Sequence, residues 1–206
     1  GTADKHVMMS LWAANTVLGK NPVTARATLD EVMALAHSYL DYNIIHGNAL
    51  IDAIYHLRLG KVTIGWARLC AVLDETKASG NVVFSRYFHL VRAEILLKVA
   101  SLMKEPPPGP GYPDRSVVPA PKPGLGDIMT LLKLRLKARQ MAAADLAYFR
   151  ANFDGDGAGV HEARALTCEA LLNRNRTKRD ASLRRAAMLA EEEGLMILKR
   201  RIEAQL

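Results

Sequence analysis

Apolar residues recur along this chain at three- and four-residue intervals, the spacing that gathers them on one face of a helix. No segment sustains the every-other-residue alternation of a strand. The pattern predicts helices over about 5–18, 22–40, 44–59, 62–79, 83–103, 127–152, 160–173 and 178–193, with a short last one from Met196. Between them lie residues that break helices. Gly19-Lys20 ends the first, and Asn21-Pro22 restarts the chain with an Asn cap and a proline where a missing N–H costs nothing. Gly60 stops the third helix, and Gly80 suits a left-handed C-cap. Asp127 is placed to cap the sixth, Asp154-Gly155-Asp156-Gly157 reads as a turn, and Gly194 interrupts near the end. Helices with short links and no strands predict an all-α fold.

One stretch departs from this rhythm. Residues 105–124 carry Pro106, Pro107, Pro108, Pro110, Pro113, Pro119, Pro121 and Pro123, a density no helix or central strand tolerates. An extended surface loop, exposed and removable, is predicted there.

The chain also resembles itself. A shift of 40 positions lays Leu29, Val32 and Met33 on Leu69, Val72 and Leu73, Ala13 on Ala53, and Ala25 on Gly65. A shift of 114 carries Leu69, Val72, Leu73 and Gly80 onto Leu183, Ala186, Ala187 and Gly194. Where the helices of a hairpin cross closely, each needs a small residue, and Ala13/Ala25 and Ala53/Gly65 supply such pairs. Larger residues four and seven or eight positions later then pack onto the next hairpin. This resembles the tetratricopeptide-repeat pattern, stretched to a period nearer 40 residues than 34. The predicted architecture is an α-solenoid of tetratricopeptide-like antiparallel hairpins in one domain, 1–206. Its hairpins fall at about 5–40, 44–80, 83–152 (with the proline loop) and 160–194.

His46 to Ala100 is similar to the helical-repeat region of large bacterial signalling proteins. These are class III adenylate cyclases with an AAA-type ATPase core and winged-helix or LuxR-type transcription activators. The likeness rests on Ile54-Tyr55-His56-Leu57-Arg58-Leu59-Gly60, Gly65-Trp66-Ala67-Arg68-Leu69, Lys77-Ala78-Ser79-Gly80 and Leu90-Val91-Arg92-Ala93-Glu94-Ile95-Leu96-Leu97. His161 to Leu195 resembles a final repeat of the same kind. The resemblance implies a non-catalytic protein-interaction or ligand-sensing module of a bacterial regulator, acting on effector domains of its parent chain.

Composition bounds this picture. At 206 residues, half of them apolar, the chain can bury a sizeable core. No apolar run approaches the roughly 18 residues of a membrane span, and no membrane partner is expected. The opening Gly1-Thr2-Ala3-Asp4-Lys5 has neither a secretion-signal layout nor an initiator Met, and reads as the start of a fragment. Cys70 and Cys168, each in an apolar helical stretch, read as buried free thiols in a reducing, cytoplasmic setting. The formal charge is +7. Its excess gathers late, in Lys133, Arg135, Lys137 and Arg139, in Arg174, Arg176, Lys178, Arg179, Arg184 and Arg185, and in Lys199-Arg200-Arg201. Solvated helix faces account for these groups. The alternative function is a nucleic-acid-associated helical protein that uses these basic helices, although aromatic platforms are missing.

Chemical motifs are sparse. A calcium loop starting at Asp154 would put Ala158 and Ala165 where oxygen donors are required. His6, His37, His46, His56, His89 and His161 form no helical i, i+4 pair, so neither zinc nor another cofactor is expected. No phosphate loop or nucleophile elbow occurs, and no enzymatic activity is expected. Trp12, Tyr55 and Trp66 read as core. The repeat register places Asn15, Arg58, Arg86, His89 and Glu94 near the concave face, where they are the candidate contacts for a protein or peptide partner.

Overall fold

The computed structural model of the chain describes residues 26, 29–31, 33, 34, 37, 42–104, 122–153, 155 and 158–206. The predicted first helix, with Trp12, Ala13 and Asn15, lies outside the described residues, as do Ala25, residues 105–121 of the proline-rich stretch, and Asp154, Asp156 and Gly157. The described positions between 26 and 37 are helical. Seven helices follow: α1 (Tyr42–Arg58), α2 (Val62–Ala78), α3 (Val82–Val99), α4 (Leu125–Asn152), α5 (Ala158–Leu172), α6 (Arg176–Glu192) and α7 (Met196–Glu203). The fold is all-α, with no strand among the described residues. The described residues group into two compact units, 26–84 with 122–131 and 85–104 with 132–206.

In the first unit, α1 and α2 form a sequential hairpin. Gly60 closes α1 at φ 71°, with Lys61 N–H bonded to His56 O (3.0 Å) and Gly60 N–H to Leu57 O (3.1 Å). This is a Schellman turn, and its positive φ is the reason for glycine. Gly80 repeats it at φ 70°, with Asn81 N–H on Thr76 O and Gly80 N–H on Lys77 O. The helices cross at Ala53 and Gly65, both buried. A methyl group on Gly65 would stand 2.9 Å from Ala53 O and 2.8 Å from Leu57 N, so the backbones themselves are in contact. Leu29 and Leu69, paired by the 40-residue shift, are both fully buried. Val32 lies outside the described residues, and Met33 packs beside Leu29 and Tyr55.

Asp127 stands in the first turn of α4, which begins two residues earlier. Its Oδ1 accepts the Thr63 N–H (2.8 Å) in the first turn of α2, whose N-cap Lys61 makes no side-chain cap bond. Backbone N–H bonds from Thr63 lead the causes that hold its carboxyl below the usual range. The carboxylate thus serves the start of a second helix, distant in the chain, as well as accepting the Gly124 N–H before its own.

In the second unit, α3 packs antiparallel to α4. Ser85 Oγ meets Tyr148 Oη (3.0 Å), and His89 meets Asp145. α5 and α6 form an alanine-lined hairpin in which Ala163, Ala170, Ala186, Ala187 and Ala190 are buried with Leu183. The 114-residue shift therefore falls on core positions in both units, and Gly194 ends α6 at φ 70° as Gly80 ends α2. Asn175 caps α6, its side chain accepting Lys178 N–H (3.0 Å), so this helix starts earlier than predicted. α3 ends earlier than predicted because Ser101 takes the left-handed conformation at φ 57°. It makes the same turn, with Leu102 N–H on Leu97 O (2.9 Å) and Ser101 N–H on Lys98 O (2.9 Å).

Two core expectations need correction. Trp66 is only partly buried, and so is Cys70, because both lie at the edge of α2's apolar stripe; Tyr55 and Cys168 are buried.

Gly65→Ala is expected to lower stability by about 1–3 kcal/mol, because backbone atoms cannot move aside as a side chain can. Ser101→Gly is expected to raise it by about 1 kcal/mol by relieving the left-handed strain. Denaturant melts of both variants check the two signs.

Candidate functional site

α3 organises the polar chemistry of the second unit, with one face toward α4 and another toward α5. On the α4 side, Asp145 is 2 % exposed and carries three hydrogen bonds. His89 meets it through Nδ1 (2.6 Å), and Arg92 donates a fork from Nε (2.9 Å) and Nη2 (2.6 Å). The His89 ring lies over Tyr148, with centroids 4.1 Å apart. Arg86, buried at the start of this face, donates to Asn152 O (3.1 Å) at the end of α4 and lies over the Phe153 ring.

On the α5 side, Glu94 and Arg164 form a fork–fork pair (2.7 and 2.9 Å), both side chains largely buried. Arg164 also lies over Tyr87, and Tyr87 meets the edge of His161. Burial pushes the Glu94 carboxyl up, but the charge and hydrogen bonds of Arg164, helped by Arg201 and Lys98, win and hold it below its ordinary value. Burial opposes the charge on Arg164 too, and Glu94 outweighs it, so the guanidinium is held more firmly protonated than usual. Burial raises the Cys168 thiol, and the neighbouring Glu94 charge adds to the effect.

Beside this pair opens a small cleft of about 20 Å³, partly continuous with solvent. Its charged lining is Glu94 with Lys98, Lys104, Arg164 and Arg201, four cations against one carboxylate. Apolar walls come from Met103, Leu198 and Ile202. One side is fixed by Gln205, 5 % exposed, whose amide accepts Lys104 N–H (2.8 Å) and donates to Lys104 O (2.9 Å) and Arg201 O (2.9 Å).

The sequence-predicted contacts scatter. Asn15 lies outside the described residues, and Arg58 sits partly buried in the last turn of α1 in the first unit. Arg86 is not on an open face but buried against the end of α4, and His89 is held by Asp145. Only Glu94 lines the cleft. The reason is geometric: helical register ranks positions on one helix but does not say which stripe a neighbouring helix covers. Arg164, Lys104, Arg201 and Gln205 escaped the sequence reading. One signal was present, since Arg164 is a charge between the core residues Ala163 and Ala165. Asp145 carries the same signal, standing beside Leu146 in the buried register of Leu134, Ala138, Ala142 and Phe149.

In the first unit, Asp52 accepts from Arg26 Nη1 (2.8 Å) and pairs with Arg68. The stripe it shares on α1 also buries Asn48 and His56, whose side chains find no hydrogen-bond partner. Among the described residues, no group of three or more His, Cys, Asp or Glu is placed to hold a metal ion. Ala165, where a calcium loop would need its last carboxylate, is buried in α5.

The pKa directions fix a pH response. Burial, then Arg164 and Arg86, depress His161, and burial, then Arg26 and Lys61, depress His56. The unfolded chain takes up these protons more readily, so the stability they contribute is present above the ordinary histidine value of 6.5 and lost as pH falls through it. His161→Phe is expected to flatten this fall in a pH series of melts. The depressed Glu94 carboxyl adds a second loss as pH falls below 4.5. Glu94→Gln is expected to cost about 3 kcal/mol at neutral pH, because it leaves Arg164 buried and uncompensated.

Comparison of the chain with protein-family models, with curated proteins and with solved structures finds no match.

Proposed function

We propose that this chain is a non-catalytic, tetratricopeptide-like helical-repeat module of a bacterial regulatory protein. It acts in the cytoplasm and binds an acidic segment of a protein or peptide partner. The observation that carries this reading is the charge imbalance of the cleft: Lys104 and Arg201 stand beside a carboxylate, Glu94, that is already paired with Arg164. The apolar wall of Met103, Leu198 and Ile202 gives the partner's side chains something to bury, while the cations fix its carboxylates. The recurrence of one turn at Gly60, Gly80 and Ser101, at intervals of 20 and 21 residues, supports the solenoid of hairpins. So does the burial of residues matched by the 40- and 114-residue shifts.

The test is fluorescence anisotropy with a labelled Glu/Asp-rich peptide and a neutral peptide of the same length. The acidic peptide is expected to bind more tightly, and Arg201→Glu with Lys104→Glu to weaken it by about tenfold or more. Equal binding of the two peptides, or no loss in the variant, overturns the proposal.

A further inference from the structure

A second surface of the same unit, separate from the cleft, combines two features that an ordinary solvated helix does not. Leu136 is 88 % exposed and Leu132 51 %, among the most exposed large apolar side chains of the described residues. They are one helical turn apart on α4, so they stand on one side of it. Lys133, Arg135 and Lys137 are exposed on the same two turns. Arg139 donates to Leu172 O (2.6 Å), which sets the end of α5 and the turn after it against this part of α4. That turn and the start of α6 bring the exposed Arg174 and Lys178. No acidic residue occurs in 132–139 or 172–178.

From this we infer that the face is a docking surface for an anionic lipid bilayer, on which the chain rests peripherally through Leu132 and Leu136. The charge selects an anionic occupant, and the shape narrows the class. The leucines project outward from the helix and are themselves the anchoring side chains. A fluid acyl boundary beneath anionic headgroups accepts projecting leucines and surrounding lysines and arginines together. A nucleic-acid backbone would use the cations but leave the leucines in water, and neither segment carries an aromatic ring on which bases could stack. This departs from the expectation of no membrane partner. It needs no spanning helix, and none of the described helices is long and apolar enough to cross a membrane.

The experiment is flotation of the purified chain with vesicles of phosphatidylcholine, with and without phosphatidylserine, at low and high salt. Duplex DNA and polyglutamate serve as competitors. Binding is expected only with phosphatidylserine. Each of Lys133→Glu and Lys137→Glu should weaken it by about fivefold or more, and Leu136→Ser by about tenfold. Because all three side chains are exposed, circular dichroism of the variants should be unchanged, which separates loss of binding from loss of fold. Binding to neutral vesicles alike, indifference to Leu136→Ser, or tighter binding to DNA or polyglutamate than to vesicles each overturns the inference. Lys104→Glu with Arg201→Glu should leave flotation unchanged, so failure of the cleft reading and failure of this one are distinguishable.

Discussion

A single residue at positive φ between two helices leaves the chain only two or three linking residues, and the next helix can only run back along its predecessor. Gly60, Gly80 and Gly194 each impose this constraint with the same pair of backbone hydrogen bonds. Much of the packing follows from it. Helices brought back so abruptly cross near the turn, where any bulk would force them apart. α1 and α2 therefore meet through Ala53 and Gly65. α5 and α6, whose link at 173–175 holds no positive-φ residue, also meet through alanines. Larger side chains such as Leu69 sit further along α2, where the helices have room for them.

Around α3, charged pairs are set among large buried apolar side chains, Phe88, Leu90, Leu96 and Leu97. Asp145 is buried, Arg164 largely so, and each is satisfied by more than one neighbour. Such pairs add little net stability compared with well-packed apolar residues, but losing one partner strands the other in a dry environment. The second unit is therefore least tolerant of single charge changes at α3 and most tolerant of them on the outer faces of α4 and α6.

The helices were largely legible in the sequence, because glycine spacing and the 3.6-residue period act locally. Gly60, Gly80 and Gly194 were read as helix stops and are. Ser101 was not, since serine carries no comparable signal for a left-handed turn. The close approach at Ala53 and Gly65 was legible because two small residues at a fixed interval have few other uses. The cleft was not. It depends on Lys104, Gln205 and Arg164, which lie far apart in sequence and converge only through packing. Asp127 shows the same limit, because its capping oxygen serves a helix that begins 65 residues earlier, at Val62.

The buried thiol of Cys168 has a kinetic consequence. A thiol reagent needs both access and the thiolate, and in the folded unit this residue offers neither. Its reaction must wait until α5 comes away from α3 and α6. Cys70, partly exposed on α2 in the first unit, is open to reagent without such an event. The two cysteines thus form a built-in clock. The first marks the intrinsic speed of the reagent, and the lag of the second counts how often the alanine-packed hairpin breathes.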